Sequence, residues 1–210
     1  MLAGMWLAVA GAERLAAAAL LLADDQTTRQ MGRGERIDAD RLAGYIESRR
    51  MSLAWQPSGE AWREVAAAHL RRADAAGGDA GSELAAARRA ARAAIAMHPS
   101  DPHGWALLSA AAFAAQDSAA GWAAFRRSLA GAPLDPGLAP WRLRVLLASA
   151  RVPDDGLERA RRDQVLYLGR RDPAALFAIA TEVGGLPLVA AILAPPALPA
   201  VPATPDSGRE

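Results

Sequence analysis

The chain has 210 residues, with 24 basic residues that are all arginine, 23 acids and three histidines, for a formal charge of +1. That length suits one domain with a real core rather than two large ones, and the near-zero charge excludes the positive excess of a nucleic-acid binder, so no nucleic-acid partner is expected. The absence of cysteine excludes disulfides and thiolate metal sites while permitting an oxidising compartment.

Hydrophobic residues make up 52% of the chain, but much of that share is alanine. Alanine has the best helix propensity and lets backbones approach, whereas the strand formers Val, Ile, Thr and Tyr are scarce. The fold class expected is all-α. The exclusive use of arginine fits a GC-rich coding sequence better than a need for bidentate anion contacts.

Taken in chain order, residues 1–23, MLAGMWLAVAGAERLAAAALLLA, are long enough to cross a bilayer and place Trp6 in the first apolar run. Glu13 and Arg14 interrupt the span, each costing roughly 2.5–3.5 kcal/mol at mid-bilayer, partly offset by mutual neutralisation. Three readings stand: a single-pass membrane anchor, an uncleaved or poorly cleaved export signal, or an alanine-rich helix packed on the domain. The lack of a basic residue before Arg14 argues against the signal. Residues 24–40 are polar and carry Gly32 and Gly34, which reads as a linker or a frayed helix end. Those glycines, in GRGER, make no phosphate loop, since neither a Walker lysine nor a preceding strand accompanies them.

Residues 41–194 read as one helical domain, with helical patterning from Arg41 to about Val183. It breaks at AGGDAGS (76–82), GAPLDPGLAP (131–140) and RVPDDG (151–156). Residues 195–210 hold five prolines and little to bury, which predicts a disordered tail.

HPSDP at 98–102 recurs as APLDP at 132–136, aligning Pro99 with Pro133 and Asp101 with Asp135 at a separation of 34 residues. That is the period of a tetratricopeptide repeat (TPR). Within the unit, Asp101 is expected to cap a first helix and Pro102 to occupy its first turn. Trp105, Leu108 and Ala112 then share one face. Asp117 or Ser118 caps a second helix, on which Gly121, Phe125 and Ser128 form a small-large-small stripe beside Trp122 and Leu129. Gly131 is expected to supply a left-handed stop, with Pro133 preventing continuation.

Upstream, a helix from Pro57 and Trp62 pairs with ELAAARRAARAAIAMHP, the spacing Pro57 to Pro99 being 42 residues. Downstream, PWRLRVLLASA pairs with GLERARRDQVLYLGRRDP, and AALFAIATEVGG begins a helix that caps the stack. Three such pairs meet the minimum for a solenoid with a continuous core. Truncating Trp105 or Phe125 to Ala is expected to cost roughly 3–5 kcal/mol each.

LAWQP (53–57), RAAIAMHPSDPHGWALLSAAAFA (92–114) and DPAALFAIATEVGG (172–185) resemble the small TPR-like accessory proteins of bacterial exopolysaccharide gene clusters, the VpsP-like group. The likeness covers residues 40–193 and the plan of an apolar N-terminus before repeats. The chain departs from that group in having APLDP where a PWEP-like turn is usual. The resemblance implies a non-catalytic protein anchored in the inner membrane through residues 1–23, with a periplasmic helical domain that assists polysaccharide biosynthesis or export. Its implied partners are other proteins, chiefly membrane components of polysaccharide assembly. The alternatives are a soluble, cytoplasmic TPR scaffold of another pathway, or an arginine-rich module that binds anionic glycan or lipid headgroups.

The chemistry-bearing residues point the same way. Ser100 or Ser109 with His98 or His103 and Asp101 offers the residue types of a nucleophile, base and orienter, but no Gly-x-Ser-x-Gly elbow is present and each residue has a structural explanation. His98 and His103 lie five apart across two prolines, and His69 stands on another helix without an HExxH frame, so no metal site is expected. Glu60 and Glu64 share a helix face, where first-turn acids are ordinary. No catalytic residue and no cofactor is assigned. Trp62, Trp105 and Trp141 each sit near a helix start and read as packing residues; Trp55, before Gln56 and Pro57, reads as exposed.

Arginines recur along the helices at Arg49/Arg50, Arg71/Arg72, Arg88/Arg89/Arg92, Arg126/Arg127, Arg161/Arg162 and Arg170/Arg171. The simplest reading is a solvated outer face with acidic partners such as Glu83, Asp163 and Asp172. The sharper one is a basic stripe facing anionic glycan, lipid-phosphate headgroups or the membrane surface, since residues 41–172 hold 19 arginines against 14 acids.

Overall fold

A computed structural model gives the fold and describes residues 25–33 and 35–194. The anchor reading of residues 1–23 and the tail reading of 195–210 lie outside the described residues. Every regular element among those described is helical: α1 (Asp25–Gly32), α2 (Ala39–Trp55), α3 (Gly59–Ala76), α4 (Gly81–Met97), α5 (Pro102–Ala114), α6 (Ser118–Gly131), α7 (Ala139–Ala148), α8 (Asp155–Arg171), α9 (Pro173–Glu182) and α10 (Leu186–Leu193), with a 3-10 turn at Gly77–Asp79. The all-α expectation holds. Among those described, no helix is long and apolar enough to cross a membrane.

The chain divides into two compact units, the first ending at Leu138 and the second beginning at Ala139. In the first, α2 packs on α3, α3 on α4, α4 on α5 and α5 on α6, and α3 also touches α5. Its main apolar cluster is built from Leu42, Tyr45, Ile46, Leu53, Val65 and a run of alanines, with Trp62 and Leu108 packed against it. In the second, α7 packs on α8, α9 touches both, and α10 lies on α8 and α9. Leu143, Leu147, Val165, Leu168, Leu176, Ile179 and Val189 form that cluster.

The helix starts follow from local chemistry. Asp38, Ser58, Asp101, Asp117, Asp154 and Asp172 are N-caps whose side chains accept from first-turn amides, satisfying donors the helix leaves unpaired. Pro102 and Pro173 stand in the first turn of α5 and α9, where a missing N–H costs nothing. Of the two candidates to cap α6, Asp117 does so, accepting from Ala120 N at 3.1 Å.

Two local expectations change. The polar stretch 24–40 contains α1, because its side chains are used in tertiary contacts: Arg41 Nε donates to Thr27 Oγ1 at 3.1 Å, Thr28 Oγ1 meets the Tyr45 hydroxyl at 2.9 Å, and Arg71 Nη2 donates to the Met31 carbonyl at 3.0 Å. Periodicity does not register a helix held by polar ties. Gly131 does not take a positive φ; among the glycines described, Gly77 and Gly184 do. What Gly131 supplies is closeness, since a Cβ there would come within 2.9 Å of the Ser100 carbonyl oxygen and 3.3 Å of Pro102.

Candidate functional site

The stretch Met97–Ala110, which nominated a Ser/His/Asp set, is the joint between α4 and α5. Asp101 Oδ1 accepts from His103 N at 3.1 Å and Oδ2 from Gly104 N at 3.2 Å, while Trp105 Nε1 donates to the Pro99 carbonyl at 2.7 Å. Ser109 is fully buried and donates to the Gly121 carbonyl at 2.9 Å. The His98 ring lies over Gly59, where a Cβ would meet its Cδ2 at 2.5 Å. Ser100 is exposed. The Ser109 hydroxyl thus donates to a carbonyl, and the Asp101 carboxylate is engaged by two first-turn amides as a helix cap.

The 34-residue echo is visible in geometry. Asp135 Oδ1 accepts from Gly137 N at 2.8 Å and Leu138 N at 3.0 Å, the same second- and third-residue amides that Asp101 holds. Here, however, the capped segment is a turn, and α7 begins later, at Ala139. Each joint aspartate is also met by a basic side chain from the helix one pair back: Arg63 Nη1 lies 3.4 Å from Asp101 Oδ1, and His103 Nε2 3.4 Å from Asp135 Oδ2. On α6, Gly121, Phe125 and Ser128 are all buried. Ser128 Oγ donates to the Pro102 carbonyl at 2.8 Å, and Trp122 sits edge-on to Phe113 and Phe125, with centroids 5.1 and 5.4 Å away. Trp105 is only part-buried, so the loss expected on truncating it falls below that for Phe125, which is fully buried.

The arginines separate into three kinds. Arg49, Arg142 and Arg161 are buried, at 5%, 0% and 4% exposure, which departs from a uniformly solvated face. Arg72, Arg88 and Arg144 are paired, with Glu83, Asp117 and Glu182. Arg89 and Arg92 are exposed on α4 and draw no ion-pair partner among the described residues. With Arg88 they border a groove of about 510 Å³, floored by Leu84, Ala85 and Ala115 and reaching Gly81. Its α4 residues fall at 81, 84, 85, 88, 89 and 92, one face of the helix. Arg88 is the structural member: its guanidinium binds Asp117 at the α5–α6 turn, and that contact, aided by the Ala120 amide, holds the Asp117 carboxyl below the usual carboxylate range.

Two buried polar clusters escaped the sequence reading. Arg49 Nε lies 2.7 Å from Glu64 Oε2, its guanidinium carbon stands 4.8 Å over the Tyr45 ring, and Nη2 reaches Thr28 Oγ1 at 3.3 Å. Burial pushes the Glu64 carboxyl and the Tyr45 phenol up, against the downward pull of Arg49. Glu60 stays an exposed first-turn acid, so the two glutamates part company. In the second cluster, His69 Nδ1 lies 2.7 Å from Glu83 Oε2, and Arg72 Nη2 3.1 Å from Oε1. Burial lowers the His69 pKa, with Glu83 opposing. The signal for both was a charged residue amid apolar ones on a helix face, but sequence alone does not say which side of a helix is covered. Among the described residues no three His, Asp or Glu side chains are grouped so as to hold a metal ion.

Comparison of the chain with protein-family models, curated proteins and solved structures finds no match.

Proposed function

We propose that the protein is a non-catalytic, TPR-like adaptor. It is tethered by residues 1–23 to the bacterial inner membrane, with its helical domain in the periplasm, and it assists exopolysaccharide biosynthesis or export through protein–protein contacts. The observation that carries the adaptor class is the repeated joint, in which a basic side chain from the preceding helix pair meets a capping aspartate, Arg63 to Asp101 and His103 to Asp135. Repetition of one nearest-neighbour contact is how a solenoid extends a surface for partners. Of the residues that suggested hydrolysis, Asp101 and His103 belong to that joint. The pathway rests on the resemblance of residues 40–193 alone.

The full chain, expressed in a polysaccharide-producing bacterium, is to be cross-linked in intact cells and extracted with carbonate. Retention in the membrane pellet, loss of that retention without residues 1–23, and capture of a membrane component of polymer assembly are the results expected. Release of the full chain by carbonate overturns the tether. Cleavage of the polymer by the purified chain overturns the adaptor.

A further inference from the structure

We infer that the groove between α4 and the α5–α6 turn is the docking site for a short acidic protein segment. Carboxylates of that segment pair with Arg89 and Arg92, and its apolar side chains rest on Leu84, Ala85 and Ala115. The protein nature of the occupant rests on the adaptor reading above; the site itself rests on the arrangement of charge and surface.

Three observations meet in this groove. Arg89 and Arg92 are exposed and without ion-pair partners among the described residues, while the neighbouring Arg88 is drawn off to Asp117. The unmatched charge is therefore directed to one stretch of α4. The two arginines are three apart, so their side chains leave the helix roughly 5–6 Å from each other. Carboxylates one helical turn apart, or two apart along an extended strand, meet that separation. Exposed Ala85 and Ala115 give the groove apolar surface beside Leu84, and from Gly81 to Arg92 it spans twelve residues of α4, about 16 Å.

An elongated, apolar-floored channel with cations on its edge suits a chain that alternates acidic and apolar side chains, because both components are complemented at once. A bilayer surface meets the arginines through lipid phosphates alone, which would not set them apart from exposed arginines elsewhere, such as Arg159 and Arg162. A glycan carboxylate reaches the arginines but leaves Leu84 and Ala115 without an apolar partner. Arg159 and Arg162 on α8 carry the same spacing and exposure and do not line this groove, which makes them the internal control.

The test uses the full chain and a fluorescein-labelled, glutamate- and leucine-rich peptide of about twelve residues, long enough to span the groove as a helix. Anisotropy is read at about 50 mM salt, where exposed charge pairs are weakly screened. Saturable binding is expected, weakened about tenfold or more by Arg89→Glu/Arg92→Glu and little by Arg159→Glu/Arg162→Glu. Replacing the peptide leucines by serine should also weaken it. Circular dichroism confirms the fold of each variant, and Arg89→Gln/Arg92→Gln replaces the charge reversal should that variant unfold.

Equal losses in the two arginine pairs reduce the effect to net charge and overturn the site. So does tighter, Arg89/Arg92-dependent binding to phosphatidylglycerol vesicles or to oligogalacturonate than to the peptide. Undiminished cross-linking of the charge-reversed chain to its protein partner in cells overturns this groove while leaving the adaptor intact. Loss of all protein cross-links in the wild-type chain, with peptide binding retained, overturns the adaptor instead.

Discussion

The two units solve the same packing problem with different side chains. In α3–α6 the fully buried positions are largely alanine, among them Ala66, Ala68, Ala87, Ala91, Ala94, Ala111 and Ala112. In α7–α10 they are mostly larger, among them Leu143, Leu146, Leu157, Leu176, Val165, Ile179 and Val189, beside Ala139 and Ala180. Helices faced with alanine come together at the short end of the interaxial range, so short hydroxyls reach a neighbour's backbone: Ser109 bonds the Gly121 carbonyl and Ser128 that of Pro102. In the leucine-packed unit longer side chains reach across, Arg161 to the Ser149 carbonyl and Arg144 to Glu182. The short hydroxyl ties to a neighbour's backbone thus accompany the alanine faces, beside longer ties such as Arg63 to Asp101 and Arg88 to Asp117.

The strongest way to break this comparison is to exchange its terms. Leu143→Ala removes a fully buried side chain from the second cluster and should cost about 2–5 kcal/mol, the lost transfer energy plus a cavity. Ala91→Leu adds atoms to a fully buried position of the first and should cost about 1–3 kcal/mol through overpacking. Urea denaturation followed by circular dichroism measures both. Should Ala91→Leu prove neutral, the alanine faces are not closely packed and the contrast fails.

The parts legible in sequence were those set by neighbours along the chain. Asp101 with Pro102, and Asp117 three residues before Ala120, announce helix starts because a cap acts over three positions. The stripe Gly121–Phe125–Ser128 announces a buried face because helical period fixes which residues share it. What could not be read depends on residues far apart: α1, held by Tyr45, Arg41 and Arg71; the burial of Arg49, set by Glu64 and Thr28; and the free state of Arg89 beside the engaged Arg88. The last distinction is the one on which the candidate site turns. It follows from where Asp117 lands after the α5–α6 turn, where Gln116 takes a positive φ of 60°.

Glycine sharpens the same contrast at lower amplitude. A Cβ at Gly121 would stand 2.5 Å from the Phe113 ring, whereas at Gly44 on α2 nothing lies within 4 Å. Alanine in place of a mid-helix glycine gains about 0.8–1 kcal/mol in propensity. At Gly44 that gain stands alone, so Gly44→Ala should raise stability by about that amount. At Gly121 the Phe113 ring, packed edge-on with Trp122, must shift, and an overpacking cost of about 1–3 kcal/mol outweighs the gain, leaving a net loss of about 1 kcal/mol. Thermal denaturation of the two variants should therefore shift in opposite directions; shifts of one sign show that Phe113 yields freely.

The smallest effect concerns acid sensitivity, which the first unit holds through histidine, since all three histidines precede Leu138. His69 is buried with Glu83 on α4, Arg72 on α3 and Arg50 on α2 about it, and its pKa lies below the ordinary value of 6.5. Below pH 6.5 the unfolded chain therefore takes up a proton that the folded chain resists, and stability falls as the pH drops through that value. Glu64 acts in the opposite sense: its raised pKa makes the folded chain hold a proton above pH 4.5, so its contribution weakens as the pH rises from there. His69→Asn keeps an N–H for Glu83 and removes the titration. Between about pH 8 and about pH 5.5 the wild-type Tm should fall further than that of His69→Asn, measured by calorimetry in buffers of equal ionic strength. Equal falls would place the acid sensitivity elsewhere, and a larger fall in the variant would mean that Glu83, rather than burial, governs the imidazole.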